Sequence, residues 1–350
     1  MQVSIKWLND YIKCTETAEE LADKYTMAGV PVENVIRADA GLDKVITGKI
    51  EELKAHPDSD HLQICQINVG EAERIQIITG AQNVKEGQIV PVAMVGAHLP
   101  NGLHIKKGKL RGVESQGMLC GASEIDLEDK IDGLLELPAD APVGADIREY
   151  LELDDHVIDI SITPNRGDCF SIRGVAREIG VINQLPVAAP EIKEVAAAIA
   201  DQKTVIVDTD GCPRYLGRVI KNVNTKAPTP AWMERALARS GIRQHSILVD
   251  ITNYVLIELG QPLHAFDGGK VEGAVHVRQA AAGEKLVLLN EQEVELQEDV
   301  MVIADDAKAL AIAGIMGGLS SSVTDETAEI FLESAFFAPL HIAGRARRFG

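Results

Sequence analysis

The polar residues best placed for chemistry lie in one stretch, residues 249–267, which reads VDITNYVLIELGQPLHAFD. Those that can donate or accept hydrogen bonds are Asp250, Thr252, Asn253, His264 and Asp267. An apolar stripe with helical spacing is formed by Leu248, Ile251, Val255 and Leu259. Gly260 and Pro262 then end the helix. A buried helix with these groups around it would form a ligand pocket, but the stretch alone favours a polar-capped core helix with a hydrogen-bonded histidine.

A second candidate site lies in residues 310–334, LAIAGIMGGLSSSVTDETAEIFLES. Gly314, Gly317 and Gly318 would let the backbone come close to a ligand. A nucleotide P-loop is excluded because the stretch lacks the GxxxxGK[ST] pattern. Glu333 falls in the apolar run IFLESAFF, where a carboxylate needs a partner because burying an unpaired charge is costly. The alternative is a glutamate on an edge strand that faces water.

A third set of residues is cationic and lies between residues 45 and 124. The densest basic run, KKGKLR, supplies possible phosphate contacts in Lys106, Lys107, Lys109 and Arg111. Asn83 and Ser115 could add hydrogen bonds to a nucleic acid. The alternative is a solvated charged surface, with His56 and His61 of HPDSDH capping strands. We predict no metal site at HPDSDH, since no matching ligand cluster follows it.

The segment TPNRGDC at residues 163–169 precedes an apolar helical pattern. Asp168 is placed to cap that helix through its free amides, and Gly167 permits the turn. Arg166 and Arg173 could bind phosphate. A structural role is the stronger interpretation, in which a rigid turn orders a domain junction.

The elements that position these residues change character along the chain. In the first 38 residues, a small α+β piece, Thr17 and Glu20 form a capping box. Short β-rich runs between turn residues predict a small antiparallel barrel or sandwich, with strands at 45–50, 62–69, 75–79 and 89–95. Later elements are a helix at 171–185, a linker at 186–199, a helix at 231–240, and a hairpin of 300–304 and 310–315.

Bulk composition excludes several classes of protein. The 350 residues are enough for two or three domains, and the 46% hydrophobic fraction is that of an ordinary globular protein. The net charge of −19 argues against non-specific coating of nucleic acid, although one domain can still carry a basic patch. A signal peptide and a membrane-spanning run are not found, so a cytoplasmic location is expected. No disulfide framework or zinc site is predicted from the scattered cysteines, Cys14, Cys65, Cys120, Cys169 and Cys212.

The motifs in their order carry a family resemblance. HPDSDHL, GAQNV and KLRGVESQGMLCGASEI resemble the tRNA-binding oligonucleotide-barrel domain of several tRNA-handling proteins. With SIKWLNDY, TPNRGD, DITNYV, GQPLHAFD and GIMGG, the whole chain resembles the N-terminal half of the beta subunits of bacterial phenylalanyl-tRNA synthetases. The resemblance implies a multidomain α+β fold.

Its domains would be a small α+β domain (residues 1–38 plus 152–190), an inserted OB-fold β-barrel that binds tRNA (39–151), and a mixed α+β editing domain (200–350) cut short at its C-terminus. The partners implied are tRNA(Phe) and the alpha subunit, in an α2β2 heterotetramer, with no membrane and no DNA. The aminoacylation site belongs to the alpha subunit in that family. No cofactor is expected in this fragment, and ATP and Mg²⁺ are implied only for the complete heterotetramer.

The resemblance also implies an editing site that hydrolyses mischarged Tyr-tRNA(Phe), since a pocket for phenylalanine rejects an added hydroxyl only weakly. Glu333, with the backbone of Gly317 and Gly318, would recognise the tyrosine hydroxyl. His264 and Asn253 would line the pocket near the ester, with Thr252 close by. Water is the nucleophile, no metal is needed, and no general base is assigned. The competing hypothesis is a non-catalytic tRNA-binding or assembly module.

Overall fold

The computed structural model describes residues 1–127 and 133–349. It is an α+β structure with several sheets, and it divides into two compact units. One unit comprises residues 17–22 and 32–159, and the other comprises residues 1–16, 23–31 and the chain from residue 160 onward. The three domain boundaries given above stay predictions.

The helices of the described residues are short. In chain order they are α1 (Ile5–Leu8), α2 (Ala18–Met27), α3 (Ile147–Tyr150), α4 (Ile172–Asn183), α5 (Ala231–Arg239), α6 (Ile247–Leu259) and α7 (Pro339–Ile342). None of them has the length and apolar character that crossing a membrane requires. The capping box that precedes α2 is confirmed, because Thr17 Oγ1 accepts from the Glu20 amide at 3.2 Å and Glu20 Oε2 accepts from the Thr17 amide at 3.0 Å.

Strands account for most of the regular structure. The first ten are β1 (Gln2–Ser4), β2 (Val32–Arg37), β3 (Asp43–Ala55), β4 (Gln63–Asn68), β5 (Ile75–Thr79), β6 (Ile89–His98), β7 (Gly108–Leu110), β8 (Val113–Ser115), β9 (Gly117–Leu119) and β10 (His156–Ile160). The remainder are β11 (Val205–Val207), β12 (Arg214–Lys221), β13 (Leu263–Asp267), β14 (Val275–Gln279), β15 (Lys285–Val287), β16 (Glu293–Glu295), β17 (Met301–Ala304), β18 (Ala309–Ile312), β19 (Met316–Gly317) and β20 (Glu329–Phe336).

The unit of residues 32–159 contains a barrel-like antiparallel sheet with strand order β5-β4-β3-β6-β9. The long strand β3 pairs with β4 and with β6, and a bulge between Ile50 and Glu52 lets it bend between the two partners. Alternating inward side chains, such as Cys65, Ile67 and Ile77, form the buried core. Of the predicted small antiparallel barrel or sandwich, the structure therefore confirms a barrel-like antiparallel sheet.

The other unit contains two sheets that share one core. Their strand orders are β12-β20-β13 and β11-β14-β17-β18-β19. Phe266 and Phe331 from the first sheet lie in the same buried cluster as Val277, Ile303 and Leu310 from the second. The predicted hairpin is confirmed, since β17 and β18 pair antiparallel around the turn at residues 305–308.

Helix α6 ends where the sequence predicts, with Gly260 in the left-handed region at φ +75°. The predicted buried stripe is wrong, because Ile251 is 38% exposed whereas Asp250 and Ile257 are buried. The helix is rotated so that Tyr254 stacks on Trp7, with 4.8 Å between ring centroids. The polar residues at its start therefore do not surround a buried helix.

Candidate functional site

Two of the predicted site residues lie opposite each other on neighbouring strands. His264 of β13 is the register partner of Glu333 of β20. Because side chains two residues apart share a face of a sheet, Phe266 and Phe331 lie on the same face as this pair. Strand β20 has a neighbour on each side, and Glu333 is only 8% exposed. The alternative of an edge-strand glutamate facing water is therefore wrong.

The Glu333 carboxylate has a partner that the sequence analysis missed. The hydroxyl of Tyr215 on β12 donates to Glu333 Oε2 at 2.6 Å. Burial raises the pKa of Glu333 to about 7, and the hydrogen bond from Tyr215 acts in the opposite direction. Burial and the adjacent carboxylate raise the pKa of the Tyr215 phenol, which therefore stays protonated as the donor.

Burial favours the neutral form of the His264 imidazole. Burial lowers its pKa, and its ring meets Phe266 edge to face at a centroid distance of 4.5 Å. Its Nε2 atom is buried and has no hydrogen-bond partner among the described residues. The ring lies against the backbone of Gly317, where an added Cβ would stand 2.6 Å from His264 Cε1. A side chain at residue 317 would thus displace the imidazole.

His264, Gly317 and Glu333 line one cavity, which we name the His264–Glu333 cavity. Its volume is about 500 Å³, within the range of small-molecule pockets. Most of the wall is apolar, and the polar lining comes from His264, Glu333, Gln261 and the backbone of Gly317. The apolar lining includes Pro262, Leu263, Ile303, Ile315, Met316, Phe336 and Phe337. A mostly apolar wall with a few convergent polar groups is typical of a binding site.

Three predicted site residues are not among the described residues that line the cavity: Asn253, Thr252 and Gly318. The Thr252 hydroxyl donates to the carbonyl of Val249 at 2.8 Å, so it points back along α6. The Gly318 amide donates to the carbonyl of Leu310 at 2.8 Å, and a Cβ there would meet that oxygen at 2.3 Å. The Thr252 hydroxyl and the Gly318 amide thus form hydrogen bonds with the backbone of the fold itself.

Asp250 organises the chain ahead of α6. Its carboxylate accepts from the Thr229 hydroxyl at 2.6 Å and from the His245 amide at 3.0 Å. A buried carboxylate with two donors fixes both segments to the helix. Asp267 joins the end of β13 to the loop before β20, because its carboxylate accepts from the Thr327 hydroxyl at 2.7 Å.

Another cavity, of about 640 Å³, lies between residues 195–203 and strand β12. Its charged groups are surface ones, and Lys221 pairs with Asp201 at its rim. None of the described residues that line it is both buried and titratable. We therefore take the smaller His264–Glu333 cavity as the candidate site.

The basic run in the barrel-containing unit lies on the surface. Lys107 pairs with Glu114 at 2.7 Å, and Arg111 donates to the carbonyl of Asp58 at 2.5 Å. Lys106 and Lys109 are exposed and make no ion pair within the part of the chain that the structure describes. These two lysines are the cations most available for an external phosphate.

Asn83 and Ser115 are engaged inside the same unit. The Asn83 amide accepts from the Leu134 amide and donates to the Leu134 carbonyl, each at 2.9 Å. Ser115 is buried, and its hydroxyl accepts from Ile78 and donates to Gly117, each at 3.1 Å. The structure gives both residues a role in packing, and their contact with RNA stays a prediction.

The predicted helix cap at Asp168 is wrong. Helix α4 is capped by Ser171, whose Oγ accepts from the Gly174 amide at 3.0 Å. Asp168 instead pairs with Arg166 at 3.2 Å, and Arg166 also pairs with Glu178 at 2.8 Å. Because two carboxylates compensate its charge, Arg166 is occupied in ordering the turn rather than free for phosphate.

Glu333 is expected to make the folded chain less stable as pH rises. Its folded-state pKa of about 7 lies above the ordinary value of 4.5, so the folded state binds this proton more tightly than the unfolded chain. That stabilisation is complete below pH 4.5 and is lost as pH rises through about 7. The shift corresponds to about 3 kcal/mol.

The free energy of unfolding in urea at about pH 5 and about pH 8 measures this effect. Between these values the wild-type chain should lose more stability than Glu333→Gln, by up to about 3 kcal/mol. The same pH dependence in both chains would contradict the prediction.

Comparison with known proteins identifies relatives over the whole chain. The family model described as "B3/4 domain" matches residues 211–350, and the one described as "Putative tRNA binding domain" matches residues 45–146. The phenylalanine–tRNA ligase beta subunit of Acinetobacter baylyi is 63% identical over 350 residues, which cover 100% of this chain and 44% of that protein. The same subunit of Psychrobacter arcticus is 54% identical, over 100% of this chain and 45% of that protein. The chain therefore spans under half the length of these curated relatives.

One solved structure with detectable similarity is an N-terminal fragment of the phenylalanyl-tRNA synthetase beta subunit from Pyrococcus horikoshii. It aligns with a TM-score of 0.31 and 16% sequence identity, over 54% of this chain and 58% of that chain. This similarity is too low to add to the description of the fold.

Proposed function

The chain belongs to the family of phenylalanine–tRNA ligase beta subunits, and from this we propose that it binds tRNA and hydrolyses mischarged Tyr-tRNA(Phe). The observation that carries the proposal is the His264–Glu333 cavity, where a buried carboxylate and a neutral imidazole line one small pocket. The reaction is cleavage of the ester bond between the amino acid and the tRNA ribose.

A pocket of this kind supplies the discrimination that a phenylalanine site lacks. A site shaped for phenylalanine rejects tyrosine only weakly, because one added hydroxyl changes binding by little. A site built to hydrogen-bond the hydroxyl rejects phenylalanine strongly, since its buried polar group would lose its partner. Glu333 is the polar group that we assign to this task.

In the proposed complex, Glu333 accepts a hydrogen bond from the tyrosine hydroxyl, and the backbone of Gly317 forms the adjoining wall. Water attacks the carbonyl carbon of the ester, the bond to the ribose oxygen breaks, and the ribose hydroxyl leaves with a proton. His264 lies on the cavity wall, and we assign its imidazole to orienting this water. We assign no general base, because positioning water against an activated ester is itself a large contribution.

The remaining predicted residues have weaker support. Asn253 and Thr252 stay predicted neighbours of the ester, and Gly318 stays a predicted contact of the tyrosine hydroxyl, since the cavity lining does not include these three residues. The tRNA(Phe) substrate and an alpha-subunit partner in an α2β2 assembly are likewise proposals. ATP and Mg²⁺ serve the ligase reaction of the complete assembly, and no step at the His264–Glu333 cavity needs them.

Replacing His264 by alanine is expected to lower the hydrolysis of Tyr-tRNA(Phe) about tenfold, because the water would lose an orienting group. The measurement is deacylation of preformed Tyr-tRNA(Phe) by a complete beta subunit with its alpha partner. His276→Ala is the matched control, since His276 pairs with Asp306 and does not line the cavity. An unchanged rate in His264→Ala would show that the site is elsewhere and would favour the non-catalytic alternative.

We propose that the barrel-like sheet is an OB-fold domain that contacts the tRNA backbone. Lys106 and Lys109 are exposed and lie between β6 and β8, with Lys109 in β7. When lysines neutralise tRNA phosphates, the counterions of those phosphates are released, so the affinity falls as the salt concentration rises. The slope of log affinity against log salt concentration depends on the number of phosphates neutralised.

Replacing Lys106 and Lys109 together by alanine should reduce the slope of log affinity against log salt by about 1.4 to 1.8. The affinity for tRNA(Phe), titrated between about 50 and 200 mM salt, gives this slope. Lys107→Ala is the comparison variant and should change the slope less, because Glu114 already neutralises Lys107. A slope that does not change in the double variant would remove this run from the tRNA interface.

A further inference from the structure

The Glu333 carboxylate is held by a residue outside the His264–Glu333 cavity. Glu333 lines the cavity, whereas Tyr215 is not among the described residues that do. The Tyr215 hydroxyl donates to Oε2 at 2.6 Å, which is the short distance of a charge-assisted hydrogen bond. No other hydrogen bond to this carboxylate occurs within residues 1–127 and 133–349. One carboxylate oxygen is thus engaged internally, and the other is left for a ligand.

The strand register explains how Tyr215 reaches this position. Gly217 of β12 is the register partner of Glu333, and Tyr215 lies two residues earlier on the same face. A diagonal neighbour of this kind is within reach of an aromatic side chain. Phe331 lies over Gly217, where a Cβ would stand 2.2 Å from its ring, and its ring is nearly parallel to that of Tyr215 at a centroid distance of 6.5 Å. The Tyr215 ring is therefore packed in a fixed position.

The charge state of the carboxylate decides what it can recognise. An ionised carboxylate only accepts hydrogen bonds, whereas a protonated one also carries a donor and has less need of a ligand hydroxyl. Burial without a donor favours the protonated form. The groups that face Glu333 are Tyr215, His264 and the nearby Cys212, whose thiol pKa is raised to about 11 by burial. Tyr215 is the one that donates to it.

We propose that Tyr215 is a positioning residue that favours the ionised form of the Glu333 carboxylate and fixes its orientation, so that its second oxygen selects a ligand bearing a hydroxyl. This inference rests on the proposed function, and it adds a residue that acts through Glu333 without contacting the substrate. It predicts that the Tyr215 hydroxyl, rather than its ring, sets the preference of the cavity for tyrosine over phenylalanine.

The test is Tyr215→Phe in a complete beta subunit with its alpha partner, because this change removes the hydroxyl and keeps the ring packing. We expect KM for Tyr-tRNA(Phe) to rise about tenfold with kcat changed less than twofold, while slow hydrolysis of Phe-tRNA(Phe) is unchanged. The acidic limb of kcat/KM should move to higher pH. Tyr254→Phe is the matched control, since Tyr254 stacks on Trp7 and does not line the cavity.

A second measurement separates this inference from the proposed function. The infrared band of the protonated Glu333 carboxyl, identified by its loss in Glu333→Gln, should persist to higher pH in Tyr215→Phe than in the wild type. An unchanged titration of this band, or an unchanged preference for Tyr-tRNA(Phe), overturns the role of Tyr215. Failure of the wild-type protein to hydrolyse Tyr-tRNA(Phe) would overturn the proposed function, and the infrared titration would still decide whether Tyr215 controls Glu333.

Discussion

Replacing Glu333 by alanine is expected to lower the hydrolysis of Tyr-tRNA(Phe) by between about tenfold and about a hundredfold. A hydrogen bond to a charged group contributes about 1.5 to 3 kcal/mol, which corresponds to that range. The loss should appear mainly in the discrimination between tyrosine and phenylalanine, since only tyrosine carries the hydroxyl. Deacylation of Tyr-tRNA(Phe) and Phe-tRNA(Phe), measured side by side in the complete subunit, gives this ratio.

The alanine variant also leaves the Tyr215 hydroxyl without its acceptor. Glu333→Gln is therefore the second variant, because its amide oxygen can still accept from Tyr215 while the charge is lost. Glu329→Ala is the control on the same strand, where Glu329 is partly exposed and pairs with Lys221. Full discrimination in both Glu333 variants would contradict the assigned role of this carboxylate.

Replacing Gly317 by alanine is expected to lower the same hydrolysis about a hundredfold, more than removal of His264, because the added methyl group narrows the cavity as well as displacing the imidazole. The added Cβ would stand 2.6 Å from His264 Cε1 and 3.0 Å from Leu289 Cδ1. The imidazole cannot simply retreat, because Phe266 meets it edge to face at 4.5 Å. A displacement of about 1 Å in a positioned group can reduce a rate by about a hundredfold.

Gly167→Ala provides the matched control for this change, since a Cβ at residue 167 would meet nothing within 4 Å. Thermal unfolding of both variants separates a displaced histidine from general loss of folding. If a folded Gly317→Ala subunit hydrolysed Tyr-tRNA(Phe) at the wild-type rate, the wall at this glycine would not contact the substrate.

Local patterns predict the parts of this structure that depend on neighbouring residues. The capping box of Thr17 and Glu20, the end of α6 at Gly260 and the hairpin of β17 and β18 were all predictable in this way. The grouping of His264, Gly317 and Glu333 in one cavity was predictable only through the family resemblance, because the three residues lie on separate strands.

The errors arise where distant parts of the chain decide the outcome. The buried face of α6 is set by packing of Tyr254 on Trp7, which lies almost 250 residues earlier, so the helical period alone gives the wrong face. Tyr215 is separated from Glu333 by 118 residues, and no local pattern indicates that their strands pair. Asp168 and Ser171 are both residue types that commonly cap helices. Asp168 forms an ion pair with Arg166, and Ser171 accepts the hydrogen bond that caps α4.

The central position of β20 between β12 and β13 limits how this site can change in evolution. Side chains alternate along a strand, so inserting or deleting a single residue within residues 329–333 would turn Glu333 to the opposite face of the sheet. The pairing with both neighbours would have to shift at the same time. Homologous chains should therefore vary in length in the loop at residues 322–328, and their specificity should change by substitution within the strand. Engineered variants of this cavity are restricted to substitutions for the same reason.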